Sequence, residues 1–304
     1  MNAASLRHRL EYWAFWLTRA KWSILPEGLA ARVGALTGLL AGSVLRIRRR
    51  EVDEHLALAF PAESSAWRRR VARRSYMHLG REASTFFRMT HWSREEFAAR
   101  LHCKGFDRVQ AAADEGEGVI LLTGHLGNWE MAGAGLAALG FPIDAVVKGM
   151  ANRRFELDLF AMRERYGVRV IEMSNAPKEV LRSLGRGRIV ALLGDQNAHR
   201  YGVFLPFFGK LAATARGPAL FALRTGVPVF VGFVIRGPGW NPHYTLTATR
   251  LEYETTGVAD QDIRNLLLSY NRILEDAIRA APDQYFWHHK RWKTRPPEEQ
   301  ASDH

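Results

Sequence analysis

His125 and Glu130 stand five residues apart in the stretch TGHLGNWE, Thr123–Glu130, directly after the apolar run Val119-Ile120-Leu121-Leu122. An imidazole and a carboxylate are the parts of a general base and the group that orients it. On one continuous helix, five residues advance the side chain by about 500°, which leaves the two on well-separated faces. A strand–loop–helix junction can instead bring them together. Val119–Thr123 reads as a strand, Gly124–Gly127 as a turn, and Asn128 as a helix N-cap. Trp129 and Glu130 then fall in the first helical turn, where the dipole favours an ionised carboxylate. Glu130 is expected to accept the Nδ1–H of His125 and leave Nε2 free as a base. No serine or cysteine nucleophile adjoins the pair, so the substrate must supply one, most simply a hydroxyl. A histidine bonded at a turn for purely structural reasons is the competing reading of this motif alone.

Other chemistries lack their residues. The chain has no HExxH zinc helix, no GxSxG elbow and no Walker A loop. Cys103 is its single cysteine, without a metal-ligand companion at the usual spacing, and it permits no intrachain disulfide. No metal and no cofactor are therefore expected. Asp195 closes the apolar run Ile189–Leu193, at the carboxyl edge where open α/β sheets place their sites.

The elements that must position these groups follow from the texture of the chain. Hydrophobic residues make up 47% of the 304, which suits a packed globule rather than a disordered chain. Up to about Leu101 the sequence reads as helical, with turn signals at Pro26 and Pro61. From Gly118, short apolar runs alternate with helical patterns. Strands are expected at Val119–Leu122, Ala145–Lys148, Val168–Ile171, Ile189–Leu193, Val229–Ile235 and Tyr244–Leu251. Helices are expected at Trp129–Leu139, Arg153–Tyr166, Ala176–Leu184, Gly217–Thr225 and Asp260–Ala281. This alternation predicts an α/β fold with a mostly parallel central sheet flanked by helices. The expected organisation is an N-terminal helical, membrane-associating region over 1–100, an α/β core over 101–295 and a frayed tail over 296–304.

Lys and Arg number 43 against 31 Asp and Glu, a formal charge of +12. Such a surface favours polyanions: nucleic acid, anionic lipid or an acidic carrier protein. No nucleic-acid-binding module is recognisable, so nucleic acid ranks last among these and a basic non-enzyme binding protein is the weakest reading. Near the N-terminus, Trp13, Phe15, Trp16 and Trp22 lie beside Arg and Lys, the composition of an interfacial helix. A helical cap on the core explains them equally well. Arg19 and Lys21 break this run, and neither it nor Val33–Leu45 approaches the roughly 20 apolar residues of a spanning helix.

Three further stretches accompany the His-x4-Glu motif: REVDEHLALAFP from Arg50, GDQNAHRYGVFLPFFGKLAATARGPALFALRTGVPVFVGF from Gly194, and PDQYFWHHKRWKTRPPEE from Pro282. Together they resemble the bacterial lipid A biosynthesis acyltransferases, the late lauroyl and myristoyl transferases of the lysophospholipid acyltransferase superfamily. Mycobacterial phosphatidylinositol mannoside acyltransferases share much of the pattern. The resemblance implies transfer of an acyl chain from acyl carrier protein or coenzyme A to a glycolipid hydroxyl, at the cytoplasmic face of the inner membrane. Members of the lipid A branch usually begin with a transmembrane helix, a region that Arg19 and Lys21 interrupt here, so peripheral or monotopic attachment is expected, with single-pass attachment the alternative. The resemblance casts His125 as general base, supported by Glu130, with Lys148 and Arg163 as cationic groups and Asp195 as the acidic position of a later block. Gln196, Thr214, Arg216 and Gly217 are weaker substrate-binding candidates. Phe204–Phe208 reads as acyl-channel lining or ordinary core, and His288 and His289 as part of a basic surface tail; His199 carries no assigned role. A thioesterase using the same pair on water is the enzymatic alternative.

Overall fold

In a computed structural model of the chain, residues 22, 24–150 and 152–296 are described. Trp13, Phe15, Trp16 and the tail beyond Pro296, on which two of the expectations fall, lie outside them. Seven strands form the central sheet: β1 (Leu101–Lys104), β2 (Val119–Thr123), β3 (Ile143–Val147), β4 (Arg169–Glu172), β5 (Ile189–Leu193), β8 (Val229–Arg236) and β9 (Tyr244–Arg250). Their order is β1-β9-β8-β2-β5-β3-β4. The five strands from β8 to β4 are mutually parallel, whereas β8 and β9 pair antiparallel and β1 runs parallel to β9. The α/β reading of the sequence therefore holds, with a two-strand reversed edge.

Alternation along the strands sorts side chains into two cores. Ile120, Leu122, Val190, Leu192, Val229 and Val231 enter one core, with helices Arg49–Ala59, Ala176–Leu184, Gly217–Thr225 and Ala259–Ala280. Val119, Leu121, Ile143, Ile189, Phe230 and Leu246 enter the other, beneath helix Trp129–Ala138. Helix Ser65–Met89 contributes Val71, Ala72 and Tyr76 to the first and Met89 to the second. Helices Arg49–Ala59 and Ser65–Met89 are thus built into the same cores as the sheet.

Four elements were not expected from sequence. β1 is four residues long and is defined by its pairing with β9. Helix Phe106–Asp114 buries only Phe106 and Val109. β6 (Val203–Phe207) and β7 (Lys210–Thr214) form a separate antiparallel hairpin. The run Phe204–Phe208 belongs to this hairpin, and Leu205, Phe207 and Phe208 are buried in core.

Candidate active site

The registration of β2 on β5 builds the site. Thr123 pairs with Leu193, so the residues two positions beyond each strand, His125 and Asp195, meet at the carboxyl edge. The Nδ1 of His125 lies 2.7 Å from Asp195 Oδ1, and the His125 backbone N–H donates to Oδ2 at 2.8 Å. One carboxylate therefore holds both the ring and the loop that carries it. The Asp195 side chain is 2% exposed and that of His125 15%, so only the imidazole reaches solvent. Nδ1 donates to the carboxylate, which leaves the Nε2 lone pair outward; the Gln196 amide nitrogen contacts it at 3.1 Å.

The electrostatics follow from this geometry. Burial opposes the imidazolium, yet the Asp195 charge, its hydrogen bond and the charge of Glu130 outweigh burial and hold the His125 pKa above its ordinary value. Burial likewise opposes the Asp195 anion, but His125 and the Arg291 guanidinium overcome it and lower its pKa.

The expected bond from His125 to Glu130 is not the one formed. Glu130 sits in the first turn of helix Trp129–Ala138, whose N-terminus is capped by the Asn128 side chain on Met131 N–H, as expected. From there the carboxylate faces helix Arg153–Arg165 and takes a two-pronged pair from Arg163, at 2.6 and 3.0 Å. Loop register turns the imidazole the other way, toward β5.

The loop is fixed on every side. Gly127 adopts a φ of +68°, and a Cβ there would lie 1.6 Å from the Val234 carbonyl oxygen, so only glycine fits. Its N–H donates to Gln284 O, and Phe286 N–H donates to His125 O at 2.9 Å. The Trp129 and Phe286 rings flank the imidazole at 4.7 and 6.1 Å between centroids.

The C-terminal segment corrects a second expectation. His288 and Arg291 are buried, not exposed in a basic tail, and burial pushes the His288 and His289 pKa values down to about 4. Arg291 donates to Ala213 O and to Thr214 Oγ1 at 2.8 Å, and its ring-face partner is Phe207. His289 accepts from Asn197 N–H at 2.9 Å. The hydroxyls of Tyr270 and Tyr285 also neighbour Asp195. Arg291, Tyr285 and Phe286 are neighbours of the His125–Asp195 pair that sequence reasoning missed; the dense aromatic and basic composition of this segment was the available signal.

A chamber of about 990 Å³ opens at His125. His125, Glu130, Lys148, Arg163, Gln196 and Arg216 line it, together with Gly217 and His199 at its polar parts. Arg216 is paired with Asp260 at 2.7 Å. Thr214 is fully buried beneath Arg291 and is not part of the wall, nor is any residue of Phe204–Phe208. The deep end lies between helix Trp129–Ala138 and the sheet. Leu121, Ala145, Ala191, Gly232 and Leu246 form its floor, and Ala132, Gly133 and Leu136 its roof. Small residues on both surfaces leave the gap open. Among the described residues, no three His, Cys, Asp or Glu side chains converge as a metal site.

A histidine oriented by a buried carboxylate at the mouth of an apolar chamber has the geometry to serve a reaction at the head of an aliphatic substrate. The comparison with known proteins gives that class a family. Residues 2–294 match the family model described as bacterial lipid A biosynthesis acyltransferase, and the chain belongs to that family. It is 27% identical over 293 residues to a lipid A biosynthesis lauroyltransferase of Escherichia coli, covering 94% of this chain and 93% of that one. It is 24% identical over 290 residues to the palmitoleoyltransferase of the same organism, covering 94% and 92%. A phosphatidylinositol mannoside acyltransferase of Mycolicibacterium smegmatis is 29% identical over 206 residues, 65% of this chain and 67% of that one. The chain is an acyltransferase.

Proposed function

We propose that this enzyme transfers a fatty acyl chain from a carrier thioester, on acyl carrier protein or coenzyme A, to a hydroxyl of a glycolipid, with His125 as general base and Asp195 as its orienting partner. The observation that carries this reading is the His125–Asp195 pair, its Nε2 turned toward the apolar chamber. His125 Nε2 takes the acceptor hydroxyl proton as that oxygen attacks the thioester carbonyl carbon. The tetrahedral intermediate expels the thiolate, which recovers the proton from the imidazolium. The products are an ester and a free thiol. Base catalysis of this kind contributes about 10²–10⁴-fold.

Glu130 adds negative charge near the imidazolium and fixes Arg163 in the chamber wall. Arg163, Lys148 and Arg216 provide cations for phosphate or developing oxyanion, and Gln196 provides an amide donor beside the reacting atoms. Thr214 serves indirectly, through Arg291. The acyl chain occupies the deep, apolar end of the chamber. The names of the relatives favour an acceptor from lipid A biosynthesis or a phosphatidylinositol mannoside, and we place the enzyme at the cytoplasmic face of the inner membrane. Arg19 and Lys21 interrupt the N-terminal apolar run, and on that ground we assign peripheral attachment; no helix among the described residues is long and apolar enough to cross a membrane.

Mass spectrometry of lipids from cells with and without the protein tests this reading. One glycolipid species should lose the mass of one acyl chain when the gene is deleted and regain it with the wild type but not with His125→Ala. An unchanged lipid profile, with free fatty acid released from thioester by the purified enzyme in the absence of acceptor, would leave a thioesterase instead.

A further inference from the structure

Helix Glu27–Ser43 is inside out. It buries its small residues Ala30, Ala31, Gly34, Ala35, Gly38 and Gly42. These face helix Ser65–Met89 so closely that a Cβ on Gly38 would lie 2.0 Å from Tyr76 O, and one on Gly80 would lie 1.9 Å from Gly34 O. Its large side chains point away from the protein: Leu29, Leu36, Leu40 and Val44 are 44%, 55%, 45% and 67% exposed. At 100° per residue these four, with Val33, fall on one stripe opposite the glycines. A water-facing helix puts its large apolar residues inward. Small residues at the helix contact with large apolar ones outside is the arrangement of helices that meet lipid.

The features around the stripe point the same way. Thr37, on the exposed side, turns its hydroxyl back to Gly34 O at 2.8 Å, so its polar group is satisfied without water. Beyond the helix, Arg46 and Arg48 take left-handed φ values of 50° and 52°, unfavourable for non-glycine residues. The result is an alternating tip in which Leu45 and Ile47 are 68% and 52% exposed, between arginines. Arg48 anchors this tip by donating to His288 O at 2.8 Å, two residues from the Phe286 that touches the catalytic histidine. Arg46 remains exposed at the fringe, beside Arg50, which is exposed and paired with Glu54 at 2.6 Å. An apolar stripe fringed by arginines complements an anionic lipid surface, with the stripe among the acyl chains and the guanidinium groups at the headgroups.

We infer that the outer face of helix Glu27–Ser43 and the tip Val44–Arg48 dock this enzyme onto anionic phospholipid, lying in the surface without crossing it. The choice of lipid as partner rests on the glycolipid acyltransferase reading above.

The experiment uses the full chain and vesicles of equimolar phosphatidylcholine and phosphatidylglycerol. Leu36→Asp with Leu40→Asp should weaken vesicle co-sedimentation by about tenfold or more, as should Arg46→Glu to a smaller degree. Leu157→Asp, at a leucine 50% exposed on another helix, is the control and should bind as the wild type does. All altered side chains are exposed, so thermal melting should be unchanged; Leu36→Gln with Leu40→Gln replaces the acidic pair if it is not. Turnover of a detergent-dispersed acceptor is measured in parallel and should be retained. Vesicle binding by the double variant equal to the wild type's overturns the docking surface, whatever the turnover. Unchanged vesicle binding together with loss of a dimer on gel filtration would assign the stripe to a second copy and equally overturn it. Loss of vesicle binding by a protein that transfers no acyl chain would uphold the surface while refuting the catalytic reading.

Discussion

Two carboxylates serve the same chamber in different ways. Asp195 is buried, accepts from both the ring and the backbone of His125, and stands seventy positions from it in sequence. Glu130 is only five positions from His125, is 20% exposed, and pairs with Arg163. Proximity along the chain gave the wrong partner, because the imidazole direction is set by the β2–β5 register and not by the following helix. A buried charge close to one ring nitrogen controls the tautomer, whereas a less buried, already paired charge acts on the imidazole only from a distance.

Removing the base should have the largest effect. His125→Ala should lower kcat by about 10²–10⁴-fold with the fold intact, measured by single-turnover transfer from a labelled thioester. Comparable turnover by the folded variant would end the proposed mechanism.

Asp195→Asn comes next and bears most directly on the contrast. An amide cannot hold the Nδ1–H tautomer against a charge, so kcat should drop by about 10² or more. The pH profile gives an independent check. The base must be unprotonated, so activity rises with pH through the His125 pKa, which is held above its usual 6.5. Removing the Asp195 charge destabilises the imidazolium, and the acidic limb of residual kcat/KM should move to lower pH.

Glu130→Gln should cost less, about tenfold in kcat, with a smaller shift of the limb in the same direction. If it costs more than Asp195→Asn and shifts the limb further, the two carboxylates exchange roles.

A fourth variant probes the chamber and leaves the polar groups alone. The nearest atom to a Cβ on Gly133 is Val168 Cγ2 at 3.8 Å, so the position faces open space. Gly133→Leu should fill the deep end and move donor preference toward shorter chains by about tenfold in kcat/KM. An unchanged chain-length profile would place the acyl group elsewhere.

The smallest effect concerns the donor. Arg69, Arg70, Arg73 and Arg74 are exposed on helix Ser65–Met89. Charge reversal there should raise the KM for an acyl carrier protein a few fold and flatten its salt dependence, with the maximal rate largely kept. Lys290 and Arg291 near the C-terminus do not form a second such surface, because Arg291 is buried and Lys290 is paired with Glu51. Unchanged donor kinetics would point away from carrier docking on this face.

The sequence by itself determined six of the seven sheet strands, the capped helix after His125 and the glycine turn. These are local: apolar periodicity, cap chemistry and backbone freedom act within a few residues. Ala176–Leu184, Gly217–Thr225 and Ile189–Leu193 were legible to their ends for that reason. Tertiary structure alone decided that Asp195 faces His125, that Glu130 belongs to Arg163 and that Thr214 lies beneath Arg291 outside the chamber. It also decided that His288 and Arg291 of the C-terminal segment lie inside, where Phe286 and Gln284 brace the loop that carries His125. Strand register and the packing of a terminal segment join residues far apart in the chain, and composition or spacing carries no record of which distant partner a charge will meet.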